Sequence, residues 1–274
     1  VRRACQIAFV LSATIPAAGQ KPDARALIRQ SIQNYDKSWR SAMQWSYTQT
    51  DVTWVEGKQE VDVSSVIPLE GTPYERLLTK DGRALTPEEK RKEDEKYDRE
   101  LRRRQTEPRS ERTARIRKYE KERSFLADLP NAYNFRLLGD ELVGARPAWL
   151  VELSPRPGFA PMTQHGGLLK HIAGKLWIDK KDLQWAKAEA DVIDTVSIGV
   201  ILARIGPGAH INLNFERISD ALWLPKEINI KGAARVLLVH TKDLDEHLTF
   251  ADYHYRGGQS VEEVASSTSE PRNR

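Results

Sequence analysis

A chain of 274 residues with 39% hydrophobic and 30% charged residues has the composition of a water-soluble protein, with enough apolar side chains for a core of one or two domains. Its 43 Lys and Arg stand against 39 Asp and Glu, a formal charge of only +4, which gives little ground for a polyanion partner; nucleic acid is not expected. Cys5 is the single cysteine, which excludes an internal disulfide and a thiolate metal cluster.

The first nineteen residues read as a secretory signal peptide. Arg2 and Arg3 form a basic start, Ile7 to Ile15 a short apolar run, and Pro16-Ala17-Ala18-Gly19 a small-residue exit. The run falls well short of the ~20 apolar residues a membrane span needs. Cys5 lies inside it, so the mature chain is expected to carry no thiol.

Residues 22–40 predict an amphipathic helix. Ile28, Ile32, Tyr35 and Trp39 follow at steps of four, three and four, which lines one face. Pro22 suits the helix start. From Met43 the period changes to two: Met43, Trp45 and Tyr47 alternate with polar residues, and Val52 and Trp54 continue in the opposite phase, which predicts a bulge. Glu56-Gly57 and Asp81-Gly82 are turn signals, with strands around Val61 and over Glu75 to Thr79.

Residues 86–123 break this pattern. Thr86-Pro87-Glu88-Glu89 is a capping box with Pro at the first helical position. A dense mixed-charge run follows, with opposite charges three or four apart, such as Glu88 with Lys92 and Glu95 with Arg99. Pro108 is expected to split this helix. The acids interleave almost one for one with the bases, so the insertion reads as a solvated face whose last part tucks onto the sheet.

From Asn131 almost to the end the period is two again. Strands are expected over Phe135 to Leu138, Pro147 to Leu153, Leu176 to Asp179, Ala186 to Val192, Ile211 to Glu216, Leu222 to Ile230, Val236 to Thr241 and Leu248 to Tyr255. A Pro/Gly loop at 155–167 and turns at Pro207-Gly208, Ser219-Asp220 and Lys231-Gly232 separate them. Short strands with tight turns predict an antiparallel meander with one wet and one dry face. Trp177 and Trp185 are expected on the face opposite their aliphatic neighbours. The tail 257–274, rich in Ser and Glu, reads as disordered.

Residues that carry chemistry do not gather into a recognisable motif. The six histidines make no close pair of metal-ligand spacing, and no nucleophile elbow or phosphate loop is present. Asp191 and Asp194 are close enough in sequence to share a site, which keeps a hydrolase open. The expectation is no catalytic residue, no metal, no cofactor and no enzyme.

Several segments nevertheless form a pattern. Val143-Gly144-Ala145-Arg146-Pro147-Ala148-Trp149 leads to Leu153-Ser154-Pro155. Gly174-Lys175-Leu176-Trp177-Ile178-Asp179 follows, with Asp182-Leu183 and Glu189 after it, then Trp223-Leu224-Pro225 and Ala251-Asp252-Tyr253. This resembles the LolA-like family of outer-membrane lipoprotein-sorting proteins, over nearly all of the mature chain. The resemblance implies a mainly β, α+β fold: a curved, incompletely closed antiparallel β-barrel with helices covering its concave face. It implies one half-barrel domain over 20–256 that carries the charged insertion 86–123. It also implies a periplasmic protein of the Gram-negative envelope, monomeric, that takes part in outer-membrane biogenesis by carrying lipid or lipoprotein acyl chains.

Such a carrier needs an apolar concave wall and no polar chemistry. Alternation nominates Trp149, Val151, Leu153, Leu176, Ile178, Ile211, Leu213 and Phe215 as lining residues. The same alternation would serve a packed core under the helices, and the sequence alone leaves that choice open. Related domains sense envelope stress, so the second reading is an envelope sensor or scaffold that binds a membrane-protein partner through 86–123.

Overall fold

The computed structural model describes residues 22–55, 57–198, 203–220, 222–236 and 240–257. The expected signal at 1–19, with Cys5, and the expected disordered tail past Gly257 lie outside the described residues.

Helix α1 spans Ala24–Ala42. Asp23 is its N-cap and accepts from the Ala26 N–H at 3.0 Å. Pro22 therefore sits one residue outside the cap rather than in the first turn. Met43, expected to open the first strand, instead closes α1. A hairpin pair follows: β1 (Trp45–Val55), β2 (Lys58–Leu69), β3 (Thr72–Lys80) and the short β4 (Arg83–Ala84). The bulge expected in β1 between Tyr47 and Val52 is absent: β1 keeps continuous register with β2 from Tyr47 to Val55, so Tyr47 and Val52 face opposite sides, and the irregularity opposite Ser46 and Thr48 adds its extra residue to the strand on the other side, Ala251 to His254. The insertion forms α2 (Pro87–Thr106) and α3 (Arg109–Lys121), divided at Pro108. The expected capping box is present, with Thr86 Oγ1 accepting from the Glu89 N–H and Glu89 from the Thr86 N–H. A 3-10 turn at Ser124–Ala127 and a single helical turn, α4 (Leu129–Ala132), lead back to strands.

These strands are β5 (Tyr133–Val143), β6 (Arg146–Pro155), β7 (Ile172–Asp179), β8 (Trp185–Val192), β9 (Val196–Ile198), β10 (Ala203–Ile205), β11 (His210–Ser219), β12 (Leu222–Val236) and β13 (His240–Tyr255). All pairings are antiparallel, in the order β4-β3-β2-β1-β13-β12-β11-β8-β7-β6-β5, with β9 and β10 extending the β8 and β11 ribbon. The sheet stays open, with β4 at one edge and β5 at the other.

Chain reach requires this sheet to curve. Arg115 donates to Thr72 Oγ1 and Glu70 O beside β3, while Leu126 packs with Tyr133 at the start of β5. Nine inter-strand gaps separate β3 from β5 in the sheet order, about 43 Å if flat at ~4.8 Å each. The mostly helical path from Arg115 to Leu126 covers only about 20 Å. The two edges are therefore drawn together around the helices, giving an incompletely closed half-barrel.

The familiar-looking motifs prove to be the joints of this sheet. A Cβ on Gly174 would run into the Glu189 carbonyl on β8, so the close β7–β8 approach requires glycine there. Asp179 is fully buried and accepts from Arg146 at 2.6 and 2.9 Å and from the N–H groups of Lys181 and Asp182. Burial pushes its carboxyl up, but the Arg146 guanidinium and the turn N–H groups outweigh that and hold it below the usual range. Asp182 in turn accepts from Arg146, Arg217 and the Trp223 indole. One ion-pair network thus ties β6, the β7–β8 turn, β11 and β12 together.

Candidate functional site

In an antiparallel ladder, directly opposed residues share a face. One cross-strand row runs Leu137, Val151, Leu176, Ala188, Leu213, Ile228 and Leu248, an unbroken apolar line over β5, β6, β7, β8, β11, β12 and β13. It continues onto Asp51 of β1 and Asp62 of β2. The adjacent row on the same face runs from Phe135 and Leu153 through Gly174, Ala190, Ile211 and Ile230, then ends in Glu246, Thr53 and Glu60. The first row turns from greasy to acidic between β13 and β1, and the second does so one strand earlier, between β12 and β13.

Helix α1 covers the first half of this face. Leu27 and Ile28 pack on Val151, Leu176 and Ile178, with Trp149 and Leu153 at the margin. Ile28, Val151 and Ile178 are 0% exposed. Phe215 is buried with Ala186 and Trp223 and meets Tyr35 of α1 edge-on at 5.8 Å. Six of the eight residues that alternation nominates as lining therefore lie in core contacts beneath or beside α1. Trp185 stands opposite Ile178 and stacks on Tyr35 at 4.2 Å. The expectation that it faces away from the aliphatic side fails, because a bulge between Trp177 and Ile178 resets the register. Trp177 does face the other way, packed with Ala148 and Leu150 and donating to Glu141 at 2.7 Å.

The second half of the face is built differently. Ile211, Ile228, Ile230 and Leu248 are half-buried, and among the described residues they belong to none of the packed clusters. Leu213 sits at the boundary, touching the cluster around Phe215. Tyr47 closes one end, against Phe250 and Tyr253 at 5.9 and 5.3 Å. Burial pushes its hydroxyl up to about 12. At the acidic end, Asp51 Oδ1 is buried without a hydrogen-bond partner among the described residues. Burial, then Asp62 and Glu75, raise the Asp51 carboxyl above its ordinary value, and burial, then Asp51, raises that of Glu246.

Sequence reading located Ile211 and Leu213 on this stretch but missed Ile228, Ile230 and Leu248. The alternation Glu227-Ile228-Asn229-Ile230 was the available signal. Asp191 and Asp194 do not share a site: Asp191 is paired with His210 at 2.6 Å and Asp194 with His171 at 3.2 Å. Two clefts flank α1, of about 340 and 410 Å³, and no residue of either row lines them. Among the described residues no group of three or more His, Cys, Asp or Glu is arranged to hold a metal, and no helix is long and apolar enough to cross a membrane. The site thus offers an aliphatic floor with an aromatic end and a carboxyl end, which suits an extended apolar ligand.

No protein-family model matches the sequence, and the comparison with curated proteins finds no match. Solved structures similar to this chain include a domain from Vibrio parahaemolyticus assigned to outer membrane lipoprotein sorting, at 11% identity over 88% of this chain and 98% of that one, with a TM-score of 0.37. A LolA superfamily protein from Nitrosomonas europaea aligns at 11% identity over 88% of this chain and 96% of that one, TM-score 0.37. The Pseudomonas aeruginosa MucA/MucB complex matches at 12% identity over 86% of this chain and 100% of that one, TM-score 0.25. The chain's own topology, an open, curved antiparallel sheet with a helix seated in its concave face, is the LolA-like architecture that the Gly174–Asp179 resemblance implied.

Proposed function

We propose that this protein binds an elongated hydrophobic ligand, a lipid or a lipoprotein acyl chain, along the β11–β13 half of its concave face, and carries it within the bacterial envelope. The observation behind this reading is that one apolar cross-strand row continues from Leu213, at the edge of the cluster beside α1, onto Ile228 and Leu248, which among the described residues belong to none of the packed clusters. About 0.8 kcal/mol per buried methylene means that ten methylenes along such a floor contribute roughly 8 kcal/mol before ordering costs. Binding of this kind is non-directional and needs no catalytic group, and we propose no enzymatic activity.

Displacement of a fluorescent fatty acid tests the reading, together with native mass spectrometry of the purified protein. Parent protein is expected to bind the probe, and Ile228→Asp or Leu213→Asp to lose it while keeping the far-UV spectrum of the parent. A parent protein that neither carries extracted lipid nor takes up the probe sinks the proposal. The sensor reading makes a different demand: deletion of 86–123 would abolish capture of an envelope protein and leave probe binding unchanged.

A further inference from the structure

In sequence, the 86–123 insertion mixes acids and bases almost evenly. Folding sorts them. The inward side holds acids that answer to particular cations: Glu89 pairs with Arg83 at 2.7 Å, Asp94 with Arg76, Glu120 with Arg40 at 2.6 Å, and Glu107 with Arg115. What remains outside is lopsided. Of the sixteen exposed charged residues in 86–123, eleven are Lys or Arg and five are Asp or Glu. Lys92, Lys96, Arg99 and Arg103 follow at steps of four, three and four along α2, which sets them in one stripe, about 17 Å long. Three of the four are paired along the helix, Lys92 with Glu88, Lys96 with Glu93 and Arg103 with Glu100, and Arg91 beside them pairs with Glu95; each of these cations is more than half exposed, so the pairs hold weakly and give way to a stronger anion.

We propose that this stripe docks the protein on an anionic phospholipid surface. Charge complementarity selects an anion, and the texture of the face selects a headgroup layer over a protein. Specific protein interfaces are centred on buried aromatic or aliphatic anchors. None of the large exposed hydrophobic side chains among the described residues lies within 86–123; they are Trp54, Leu78, Leu138, Leu142, Met162, Ile193 and Tyr255. A charged face without an anchor matches a diffuse negative layer, which each Lys or Arg engages through its own flexible stem. The inference is independent of the ligand proposal and stands whether or not the concave face holds a lipid.

Vesicle co-sedimentation tests it, with phosphatidylcholine vesicles against vesicles containing about 30% phosphatidylglycerol. The full chain is expected to sediment with the anionic vesicles only, and to be released as salt rises from about 50 to 300 mM. Replacing Lys92, Lys96, Arg99 and Arg103 together by Gln is expected to weaken binding by roughly fivefold per residue. Glu88→Gln with Glu95→Gln works in the opposite direction and is expected to tighten it, which keeps the test open should the quadruple variant fail to fold. Equal sedimentation with neutral vesicles, a quadruple variant as tight as the parent, or a parent that ignores phosphatidylglycerol while binding an acidic protein each overturns the proposal. Probe displacement by the quadruple variant should match the parent, which separates this result from failure of the ligand reading.

Discussion

Truncating the same aliphatic side chain on either side of the α1 boundary tests whether the two halves of the concave face differ. Ile178 is fully buried beneath Leu27 and Ile28. Ile178→Ala removes three carbons, about 2.4 kcal/mol of transfer free energy, and leaves a cavity that the packed β6–β7 floor cannot close, for a total of about 3–4 kcal/mol. A domain of about 240 residues unfolds with an entropy near 0.5 kcal/mol per degree, so Tm should fall by about 6–8 °C. Ile228 is only half-buried and outside the packed clusters, so Ile228→Ala should cost about 1 kcal/mol and about 2 °C. Thermal melts by circular dichroism and fatty-acid probe titrations on both variants are expected to cross. Ile178→Ala loses stability and keeps its affinity, and Ile228→Ala keeps stability and loses affinity several-fold. Should Ile178→Ala melt within about 2 °C of the parent and abolish probe binding, α1 is a lid seated on the ligand site and the division drawn between core and groove is wrong.

Three further substitutions probe charge. The carboxyl of Asp51 is raised by burial, then by Asp62 and Glu75, so its stabilising share is complete below the unfolded pKa and lost as pH rises through the folded one; Asp51→Asn should raise Tm at neutral pH by about 1–2 °C, as expected for relief of a like-charge cross-strand pair, with the gain vanishing near pH 4. Asp128 has the opposite sign: burial pushes its carboxyl up, but hydrogen bonds from Thr163 and Met162 outweigh that and hold it low, so stability is present above the ordinary carboxylate range and lost as pH falls. Urea melts of Asp128→Asn should show a loss of about 2 kcal/mol at neutral pH that shrinks in acid. Glu107, its side chain 1% exposed among Arg103, Arg112 and Arg115, anchors the α2–α3 joint; Glu107→Gln should speed limited proteolysis within 86–123 while the sheet's melt barely moves, and an unchanged cleavage rate would place the anchor elsewhere.

Local chemistry made much of this fold legible. The capping box at Thr86, the break at Pro108 and the Gly57 and Gly82 turns all depend on neighbours in sequence, and each appears where that chemistry puts it; the turn expected at Lys231-Gly232 does not, because β12 runs unbroken from Leu222 to Val236 and pairs through both residues. What escaped depends on partners far away. Trp185 faces α1 because Ala186 is an extra residue in its own strand, opposite the Trp177–Ile178 step of β7, and no feature of residues 180–190 announces that bulge. The even mixture of charge in 86–123 conceals a basic face, since which acids turn inward is decided by Arg40, Arg76 and Arg83 on other elements. The candidate lining residues share one face of the sheet. Alternation assigns a face but not what lies above it, so Val151 under Ile28 and Ile211 beyond the helix look alike in the sequence.

How α1 is held bears on where a ligand enters. Its attachment goes beyond greasy contact. Ser31 Oγ accepts from the Trp185 indole at 3.0 Å, Ser38 Oγ accepts from the Gln184 amide at 2.9 Å, and Asn34 donates to the Asp182 and Leu183 carbonyls. Ser31 and Ser38 are themselves buried, so lifting the helix would break these hydrogen bonds to the sheet, at a net cost of about 1 kcal/mol each in addition to the exposed apolar area. Sliding a ligand beneath α1 would have to offset all of these losses at once. Ile211, Ile228, Ile230 and Leu248 ask for none of them, because among the described residues these four belong to none of the packed clusters. With the helix pinned in this way, the proposed ligand would lie on the sheet itself rather than beneath a moving helix.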